Sequence, residues 1–337
     1  MTRGVDPRGA TVVVTGASSG IGRAVARRFA EKGSNLTLVA RSQASLAETA
    51  QACRDAGAEV LVAPADVADP DAVDDVADRT VARFGGIDVW VNDAAVMAYG
   101  ELTETPVATQ RRIIEVNLLG TMWGTRSALR VMKPQGRGAV INVASLYGKI
   151  TTPYVTGYSS SKFGVLGFSQ AAREELHDHP GISLSVVLPG SIDTPIFRHA
   201  ANYTGRQVKP VPPVASPRHV ARVVVRRARR PRRQTTVGQL QHAAAWGKAV
   251  MPGVYGHLAT PAMKFVGFMD EPSDAHDGNV FEAQPELDAP YGGWRHHVLR
   301  YTAVGLGLPA AAWASWTAWR RHVQAGWSAA AVSRGRR

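Results

Sequence analysis

The sequence predicts an α/β fold, a doubly wound parallel sheet of about seven strands with helices on both faces. Short β-branched runs alternate with Ala-rich segments of helical period between residue 11 and about residue 187. The β-branched runs are nearly continuous in apolar residues, as expected for strands that helices cover on both faces. Repeated strand–helix–strand units of this kind place successive strands parallel to one another.

The predicted elements follow one another in a regular order. Strands are predicted at "TVVVT", "NLTLVA", "EVLVAPA", "IDVWVN", "GAVINVAS" and "ISLSVVLPG", with one more short strand at "QTTVG". The first two helices, in "GIGRAVARRFAEKG" and "SQASLAETAQACRDAG", end at a glycine, the usual helix C-terminal stop. Longer helices are predicted over about 107–132 and about 157–177, and another in "SPRHVARVVVRRARR".

Two segments depart from this alternation. Residues 190–216 are rich in proline and predict a mobile segment with one short helix. A first domain is predicted over residues 1–237. Residues 238–337 then predict a mostly helical C-terminal extension, which includes the polar loop "DEPSDAHDGNVFEAQPELDAPYGG".

The composition indicates a folded, basic protein. Hydrophobic residues make up 45% and charged residues 20% of the 337 residues, which argues against a disordered chain. The formal net charge of +12 favours acidic partners such as phosphates, an anionic membrane surface or nucleic acid. Cys53 is the single cysteine, so no intramolecular disulfide is possible, and we expect a buried, inert thiol. No secretory signal is evident near the N-terminus, so the expected compartment is the cytoplasm.

The motif "TGASSGIG" follows the first predicted strand and opens a helix. Its glycines permit a tight turn and bring backbone N–H groups close to a diphosphate, which the helix N-terminus stabilises. A glycine-rich turn without a ligand is the alternative. The strand–turn–helix context favours a dinucleotide site.

The end of the second strand indicates which dinucleotide is used. A carboxylate there would accept hydrogen bonds from the adenosine ribose of NAD. This chain has Ala40 and then Arg41, whose guanidinium can pair with a 2′-phosphate. We therefore predict NADP(H) over NAD(H); the alternative is that Arg41 is a solvated surface residue.

The stretch "YSSSK" places Tyr158 and Lys162 on one helix face, because residues four apart are neighbours across a turn. A nearby cation favours the phenolate, so Tyr158 is a candidate acid/base. The pair also occurs by chance on many helices, and its significance depends on the rest of the chain.

The chain resembles the short-chain dehydrogenase/reductase family over about residues 8–237. The resemblance is carried, in order and spacing, by "TGASSGIG", "VNDAA", "IEVNLLG", "INVASLYG", "YSSSK" and "LPGSIDT". It implies a Rossmann-like fold and an active-site tetrad of Asn117, Ser145, Tyr158 and Lys162. One departure is visible, because "VNDAA" replaces the family's usual Asn-Asn-Ala-Gly and adds a methyl group at Ala95.

The resemblance also implies roles for these residues. Tyr158 would exchange the proton and Ser145 would stabilise the substrate oxygen. Lys162 would bond the nicotinamide ribose and, with the oxidised nicotinamide, lower the pKa of Tyr158. Asn117 would hold a water that links Lys162 to solvent.

The implied cofactor contacts run along the whole site. Asp66 and Val67 would hold the adenine, and Asn92 with Ala94 would line the adenosine side. The complete predicted set is Gly16, Ser18, Ser19, Gly20, Ile21, Gly22, Arg41, Asp66, Val67, Asn92, Ala94, Tyr158, Lys162, Pro189, Gly190, Ile192 and Thr194. The last four would cradle the nicotinamide. The histidines show no metal-ligand spacing, so no metal is predicted. His199 is either a surface histidine or part of the substrate pocket.

Two stretches raise the question of a membrane. The run "RRARRPRR" is interpreted as a solvated helix end, with an anionic membrane surface as the alternative and nucleic acid as an unfavoured third. The stretch 301–319 has no charge and holds Trp313, Trp316 and Trp319. Packing against the main domain, peripheral contact with a membrane and a true span all remain open for it.

The first functional hypothesis is an NADP(H)-dependent oxidoreductase that acts on a carbonyl/alcohol pair. Segment 193–216 would form the lid, and its Ile196, Phe197 and Tyr203 favour a lipophilic substrate. The alternative is a dinucleotide-binding, membrane-docked protein whose catalysis is lost or secondary. Family members pair through the two long helices, so we expect a homodimer or homotetramer.

Overall fold

Seven parallel strands form the central sheet of the computed structural model, which describes residues 4–238, 250 and 252–294. They are β1 (Thr11–Thr15), β2 (Asn35–Val39), β3 (Val60–Val62), β4 (Val89–Asn92), β6 (Gly138–Val143), β7 (Ile182–Pro189) and β10 (Gln234–Val237). Their spatial order is β10-β7-β6-β4-β1-β2-β3. Each strand lies where the sequence predicts one, and the predicted fold class is confirmed.

Helices connect these strands and cover the sheet. They are α1 (Gly20–Ala30), α2 (Gln43–Arg54), α3 (Pro70–Phe84), α4 (Val107–Ile114), α5 (Gly120–Gln135), α6 (Thr156–Glu174), α7 (Ile196–His199), α8 (Pro217–Arg229) and α9 (Pro252–Val266). The long helix predicted over about 107–132 is present as α4 and α5. A π-helical turn, Glu115–Leu119, joins the two.

The helix ends follow local side-chain chemistry. Asp69 caps α3, because its carboxylate accepts hydrogen bonds from the backbone N–H groups of Asp71 and Ala72. Pro70 then occupies the first turn, where a missing N–H costs nothing. Gly85 ends the helix at a φ of 81°, a conformation that glycine adopts without strain.

The core lies in two layers, one on each face of the sheet. Along β1, Val12 and Val14 pack in the layer that contains Phe29 of α1, whereas Val13 packs in the layer that contains Trp90. This alternation follows from the two-residue period of a strand. Cys53 is buried in the first layer, as predicted, and burial raises the pKa of its thiol to about 12.

A polar network crosses the second layer beneath the carboxyl ends of the strands. Trp90 Nε1 donates to Asn92 Oδ1 at 2.8 Å, and Asn92 Nδ2 donates to Thr125 Oγ1 at 3.2 Å and to Asn142 Oδ1 at 2.9 Å. Asn142 Nδ2 in turn donates to Ser169 Oγ at 2.9 Å. The network therefore joins β4, β6, α5 and α6 through groups with no access to water.

Four short strands that the sequence analysis did not predict form two small sheets. They are β5 (Ala98–Tyr99), β8 (Ala201–Asn202), β9 (Arg206–Val208) and β11 (Phe268–Pro272). β5 pairs with β8, and β11 pairs antiparallel with β9. The second pairing attaches residues that follow α9 to the proline-rich segment. The compact unit therefore continues past the predicted boundary at residue 237 and ends at Trp294.

The arginine run of residues 226–233 lies at the end of α8, where cations complement the helix dipole. Arg227 is buried and Arg226 is exposed. Within the described part of the chain, no helix is both long and apolar enough to cross a membrane. The uncharged stretch 301–319 and the basic tail lie outside the described residues.

Candidate active site

The glycine-rich loop between β1 and α1 packs tightly against the chain after β4. Gly16 has a φ of 70°, and a Cβ atom on it would lie 2.8 Å from the backbone nitrogen of Ala94. A Cβ atom on Gly22 would lie 2.1 Å from the carbonyl oxygen of Gly16. Only glycine fits at these two positions, and the close packing brings the start of α1 to the cavity above the sheet.

That cavity has a volume of about 650 Å³ and lies over the carboxyl ends of the central strands. Most of the predicted cofactor residues line it: Gly16, Ser18, Ser19, Gly20, Ile21, Arg41, Asp66, Val67, Ala94, Tyr158, Lys162, Pro189, Gly190, Ile192 and Thr194. Gly22 does not line the cavity but packs against the carbonyl group of Gly16 in the loop. Asn92 differs from the prediction, because its side chain belongs to the buried network beneath the cavity.

Arg41 lines the cavity at the end predicted for adenosine, but its hydrogen-bond partners were not predicted. Its guanidinium donates hydrogen bonds to the backbone carbonyl oxygens of residues 279–282, at 2.8 Å for Phe281. Burial lowers the pKa of the guanidinium, and the charge of Asp66 is the largest influence that raises this pKa. The arginine is therefore neither a solvated surface residue nor paired with an acid; its partners are neutral oxygens.

The four predicted catalytic residues converge from three elements. Ser145 follows β6, Tyr158 and Lys162 lie on α6, and Asn117 lies in the π-helical turn. Lys162 Nζ donates to the carbonyl oxygen of Val143 at 3.2 Å and lies 5.6 Å from the centre of the Tyr158 ring. Ser145 Oγ accepts a hydrogen bond from the N–H of Tyr147 at 3.1 Å.

Asn117 acts through its neighbours, since its side chain does not line the cavity. Its Oδ1 accepts from the N–H of Val96 at 2.8 Å, and its Nδ2 donates to the carbonyl of Val96 at 2.9 Å and to Ser161 Oγ at 3.1 Å. These bonds fix the chain after β4 against α6. The carbonyl of Asn117 accepts from Thr121 Oγ1 at 2.8 Å. The predicted role of Asn117, holding a water that links Lys162 to solvent, stays a prediction.

Burial dominates the electrostatics of the catalytic groups. It raises the pKa of Tyr158 to about 12, and a hydrogen bond with Ser145 is the influence that lowers it. The predicted lowering of the Tyr158 pKa is therefore not found in this structure, because burial disfavours the phenolate more than the hydrogen bond with Ser145 favours it. Burial likewise lowers the pKa of Lys162.

Asp93 is a site residue that the sequence analysis did not assign. Its carboxyl lines the cavity behind the glycine-rich loop, where it accepts a hydrogen bond from the N–H of Gly22. Burial raises the pKa of this carboxyl, and the charge of Lys162 lowers it. The Asp93 charge in turn raises the pKa values of Lys162 and Tyr158. The signal was in the sequence, where an aspartate replaces the second asparagine of the family's motif.

The other end of the cavity is apolar. Its walls come from the turn after β6, from the proline-rich segment and from α9: Tyr147, Ile150, Ile196, Phe197, Val211, Pro212, Pro213, Ala259, Ala262, Met263 and Val266. Phe197 and Ile196 were predicted here, whereas Tyr203 bonds Thr109 Oγ1 at 2.9 Å outside the cavity. His199 is buried and lines the cavity, with its Nε2 3.8 Å from Asp288 Oδ1.

Residues 279–294, here named the strap, lie along the side of the cavity predicted to bind the cofactor. The N–H of Gly20 donates to the carbonyl of Ala289 at 3.0 Å. Trp294 donates through its backbone N–H to Asp193 Oδ1 at 2.8 Å and through its indole Nε1 to the carbonyl of Thr194 at 3.1 Å. The strap corresponds to the second half of the polar loop in the sequence, for which no role was predicted.

The structure holds the features that a nicotinamide dinucleotide requires. The glycine-rich loop has no side chains that would keep a diphosphate away from its backbone N–H groups, and the start of α1 faces the cavity. Lys162 Nζ can donate further hydrogen bonds besides the one to the carbonyl oxygen of Val143. No group of three or more acidic, histidine or cysteine side chains arranged to hold a metal occurs among the described residues.

The chain belongs to the short chain dehydrogenase family, whose model matches residues 10–203. It is therefore an oxidoreductase of a family whose members bind a nicotinamide dinucleotide. Among curated proteins it is 32% identical over 269 residues to the uncharacterized oxidoreductase YxnA of Bacillus subtilis (79% of this chain and 76% of the relative). It is 36% identical over 193 residues to 3beta-hydroxysteroid dehydrogenase 1 of Eggerthella lenta (57% and 74%).

Solved structures show the same architecture. Levodione reductase superimposes with a TM-score of 0.63 at 28% identity, covering 70% of this chain and 99% of that protein. An alcohol dehydrogenase from Thermococcus sibiricus, complexed with 5-hydroxy-NADP, gives a TM-score of 0.59 at 29% identity, covering 68% and 95%.

Proposed function

We propose that the protein is an NADP(H)-dependent oxidoreductase that interconverts a ketone and a secondary alcohol on a lipophilic, ring-bearing substrate. The observation that carries this proposal is the meeting of Tyr158, Ser145 and Lys162 between the glycine-rich loop and the apolar walls of one cavity. The relative that acts on a hydroxysteroid supports the substrate class, because its name denotes a bulky ring-bearing alcohol.

When bound, the nicotinamide cofactor would supply or accept a hydride at the substrate carbon. Tyr158 donates a proton to the substrate oxygen during reduction and removes it during oxidation. Ser145 donates a hydrogen bond to the same oxygen and stabilises its developing charge. Lys162 stabilises the phenolate and has donors free to hold the nicotinamide ribose.

The two ends of the cavity would bind different molecules, the cofactor at one end and the substrate at the other. Asp66, Val67 and Arg41 would hold the adenosine end, and Pro189, Gly190, Ile192 and Thr194 the nicotinamide. The apolar walls exclude water and receive the substrate's rings. The predicted pairing of copies through α4, α5 and α6 remains part of this proposal, and Val107 on α4 and Phe163 on α6 are apolar residues exposed on those helices.

The preference for NADP(H) rests on Arg41. It follows β2, where no carboxylate would repel a 2′-phosphate, and its hydrogen-bond partners are neutral carbonyl oxygens, which do not neutralise its charge. The NADP analogue in the Thermococcus sibiricus structure supports the same choice.

We expect wild-type protein to bind NADPH at least about tenfold (~1.4 kcal/mol) more tightly than NADH in a titration that follows nicotinamide fluorescence. Arg41→Ala should bring the two dissociation constants together, because the guanidinium supplies the discriminating charge. Arg79→Ala, a half-exposed arginine on α3, is the control and should keep the wild-type ratio. Equal affinities in the wild-type protein would contradict the NADP preference, and binding of neither cofactor would contradict the proposed function.

We expect Asp93→Asn to move the rising limb of the pH profile of kcat/KM for alcohol oxidation to lower pH. Tyr158 must lose its proton to act as a base, and the Asp93 charge raises its pKa. Removing that charge therefore lowers the Tyr158 pKa, and the phenolate forms at a lower pH. Asp75→Asn removes an exposed carboxylate on α3 and should leave the profile in place. A limb that stays or moves to higher pH would show that Asp93 does not act on Tyr158.

A further inference from the structure

The strap contacts the cofactor side of the cavity at three places along its length. Its first residues, 279–282, bind Arg41 at the adenosine end. Ala289 accepts the hydrogen bond from Gly20, at the start of α1. The last residues bind the nicotinamide end, where Gly292 N–H donates to the carbonyl of Asp193 at 3.2 Å. The strap therefore follows the order adenosine, diphosphate, nicotinamide that the glycine loop and the strands define on the opposite wall.

A second observation concerns buried polar atoms that have no hydrogen-bond partner in this arrangement. Eight buried side-chain nitrogen and oxygen atoms among the described residues have no hydrogen-bond partner, and three of them are Asn279 Oδ1, Gln284 Oε1 and His199 Nε2, the last 3.8 Å from Asp288 Oδ1. All three residues line the cavity. Buried polar atoms without a partner are uncommon in folded proteins, because each one carries a free-energy cost. The two amide oxygens, Asn279 Oδ1 and Gln284 Oε1, both belong to the strap and indicate that a partner is missing from this wall.

A third observation concerns Gly20. Its N–H belongs to the first turn of α1, where backbone donors and the helix dipole favour an anion. The neutral carbonyl of Ala289 accepts that hydrogen bond here. A diphosphate is a stronger acceptor than a carbonyl, so binding of a dinucleotide favours release of Ala289.

We propose that the strap is a wall of the cofactor site, and that the side-chain amides of Asn279 and Gln284 hydrogen-bond the bound dinucleotide. The strap opens at Ala289 to admit the cofactor and then closes over it. Ribose hydroxyls and the adenine amine are donors for the unused amide oxygens, and the amide N–H groups can donate to phosphate oxygens. This inference rests on the proposed function, because it concerns the same cofactor.

Loss of an amide is expected to change the affinities for NADPH and NADH in a different way from loss of Arg41. A neutral amide does not discriminate a 2′-phosphate from a 2′-hydroxyl through charge, and Gln284 lies in the strap between the Arg41-bound carbonyls and Ala289. Loss of Gln284 should therefore weaken NADPH and NADH binding by the same factor, whereas loss of Arg41 changes their ratio.

The first test is a titration of Gln284→Ala with NADPH and with NADH. We expect both dissociation constants to rise about tenfold, with their ratio unchanged. Gln51→Ala makes the same change at an exposed position on α2 and serves as the control, with both constants within about twofold of wild type. Wild-type affinity in Gln284→Ala for both cofactors would overturn the proposal and leave the proposed function standing. A wild-type protein that binds neither cofactor would overturn both.

The second test needs no variant. Hydrogen–deuterium exchange of the wild-type protein should show slower exchange across residues 279–294 when NADPH is saturating, because the closed strap gains the cofactor's hydrogen bonds. β11, which precedes the strap, is the internal reference and should exchange at an unchanged rate. Tight NADPH binding with unchanged or faster exchange across 279–294 would overturn the proposal.

Discussion

Tyr158→Phe is expected to lower kcat about 1,000-fold while the dissociation constant for NADPH stays within about twofold of wild type. The substitution removes one hydroxyl group, which is the proton donor for reduction, and keeps the ring that packs edge-on against Tyr147. Tyr158 combines a hydroxyl group, a hydrogen bond with Ser145 and proximity to Lys162. Steady-state turnover and fluorescence titration on the same preparation measure both quantities.

The control for this variant makes the same chemical change elsewhere. Tyr203→Phe removes a hydroxyl that bonds Thr109 and Asp277, outside the cavity lining. Its turnover should remain near the wild-type value, although its stability should fall by about 1 kcal/mol for the lost hydrogen bonds. If Tyr158→Phe kept more than about a tenth of the wild-type turnover, general acid/base catalysis by Tyr158 would be rejected.

Gly22→Ala is the second change with a large expected effect. The added Cβ would lie 2.1 Å from the carbonyl oxygen of Gly16 and 3.0 Å from Asp93 Oδ2. The backbone must therefore shift, and this shift moves the glycine-rich loop that we expect to bind the diphosphate. We expect the dissociation constants for NADPH and NADH to rise at least about 100-fold, since displacements near 1 Å cost that much at such sites.

Gly167→Ala provides the matched control on α6. A Cβ atom at Gly167 meets nothing within 4 Å, and alanine stabilises a helix interior relative to glycine. That variant should bind both cofactors normally and unfold at the same or a slightly higher temperature. Normal cofactor affinity in Gly22→Ala would mean that the dinucleotide does not lie against this loop.

The sequence was sufficient for the elements whose signals are local. A strand that is buried on both faces needs a run of apolar residues, so the inner strands of the main sheet could be located from such runs. The edge strand β10 is polar and partly exposed, and its β-branched residues indicated it instead. Gly16 and Gly22 could be recognised because a tight turn between a strand and a helix requires glycine. Tyr158 and Lys162 could be paired because residues four apart share a helix face.

What the sequence did not reveal depends on contacts between distant segments. Arg41 meets the carbonyl oxygens of a segment that follows it by about 240 residues, and backbone carbonyls have no signature in a sequence. The raised pKa of Tyr158 follows from its burial, which only the folded chain shows. The strap has neither helical nor strand period, so its polar composition predicted a loop and no more.

The polar network beneath the cavity has a consequence for how such a protein can diverge. Each side chain of this network forms a hydrogen bond with another member: Trp90, Asn92, Thr125, Asn142 and Ser169. A single substitution therefore leaves another buried group unpaired, and acceptable change requires matched changes at several positions. The apolar walls carry no such dependence, so mutations there can be accepted one at a time. New substrate preferences therefore evolve through substitutions in the lid and α9, while the residues of the polar network are kept together.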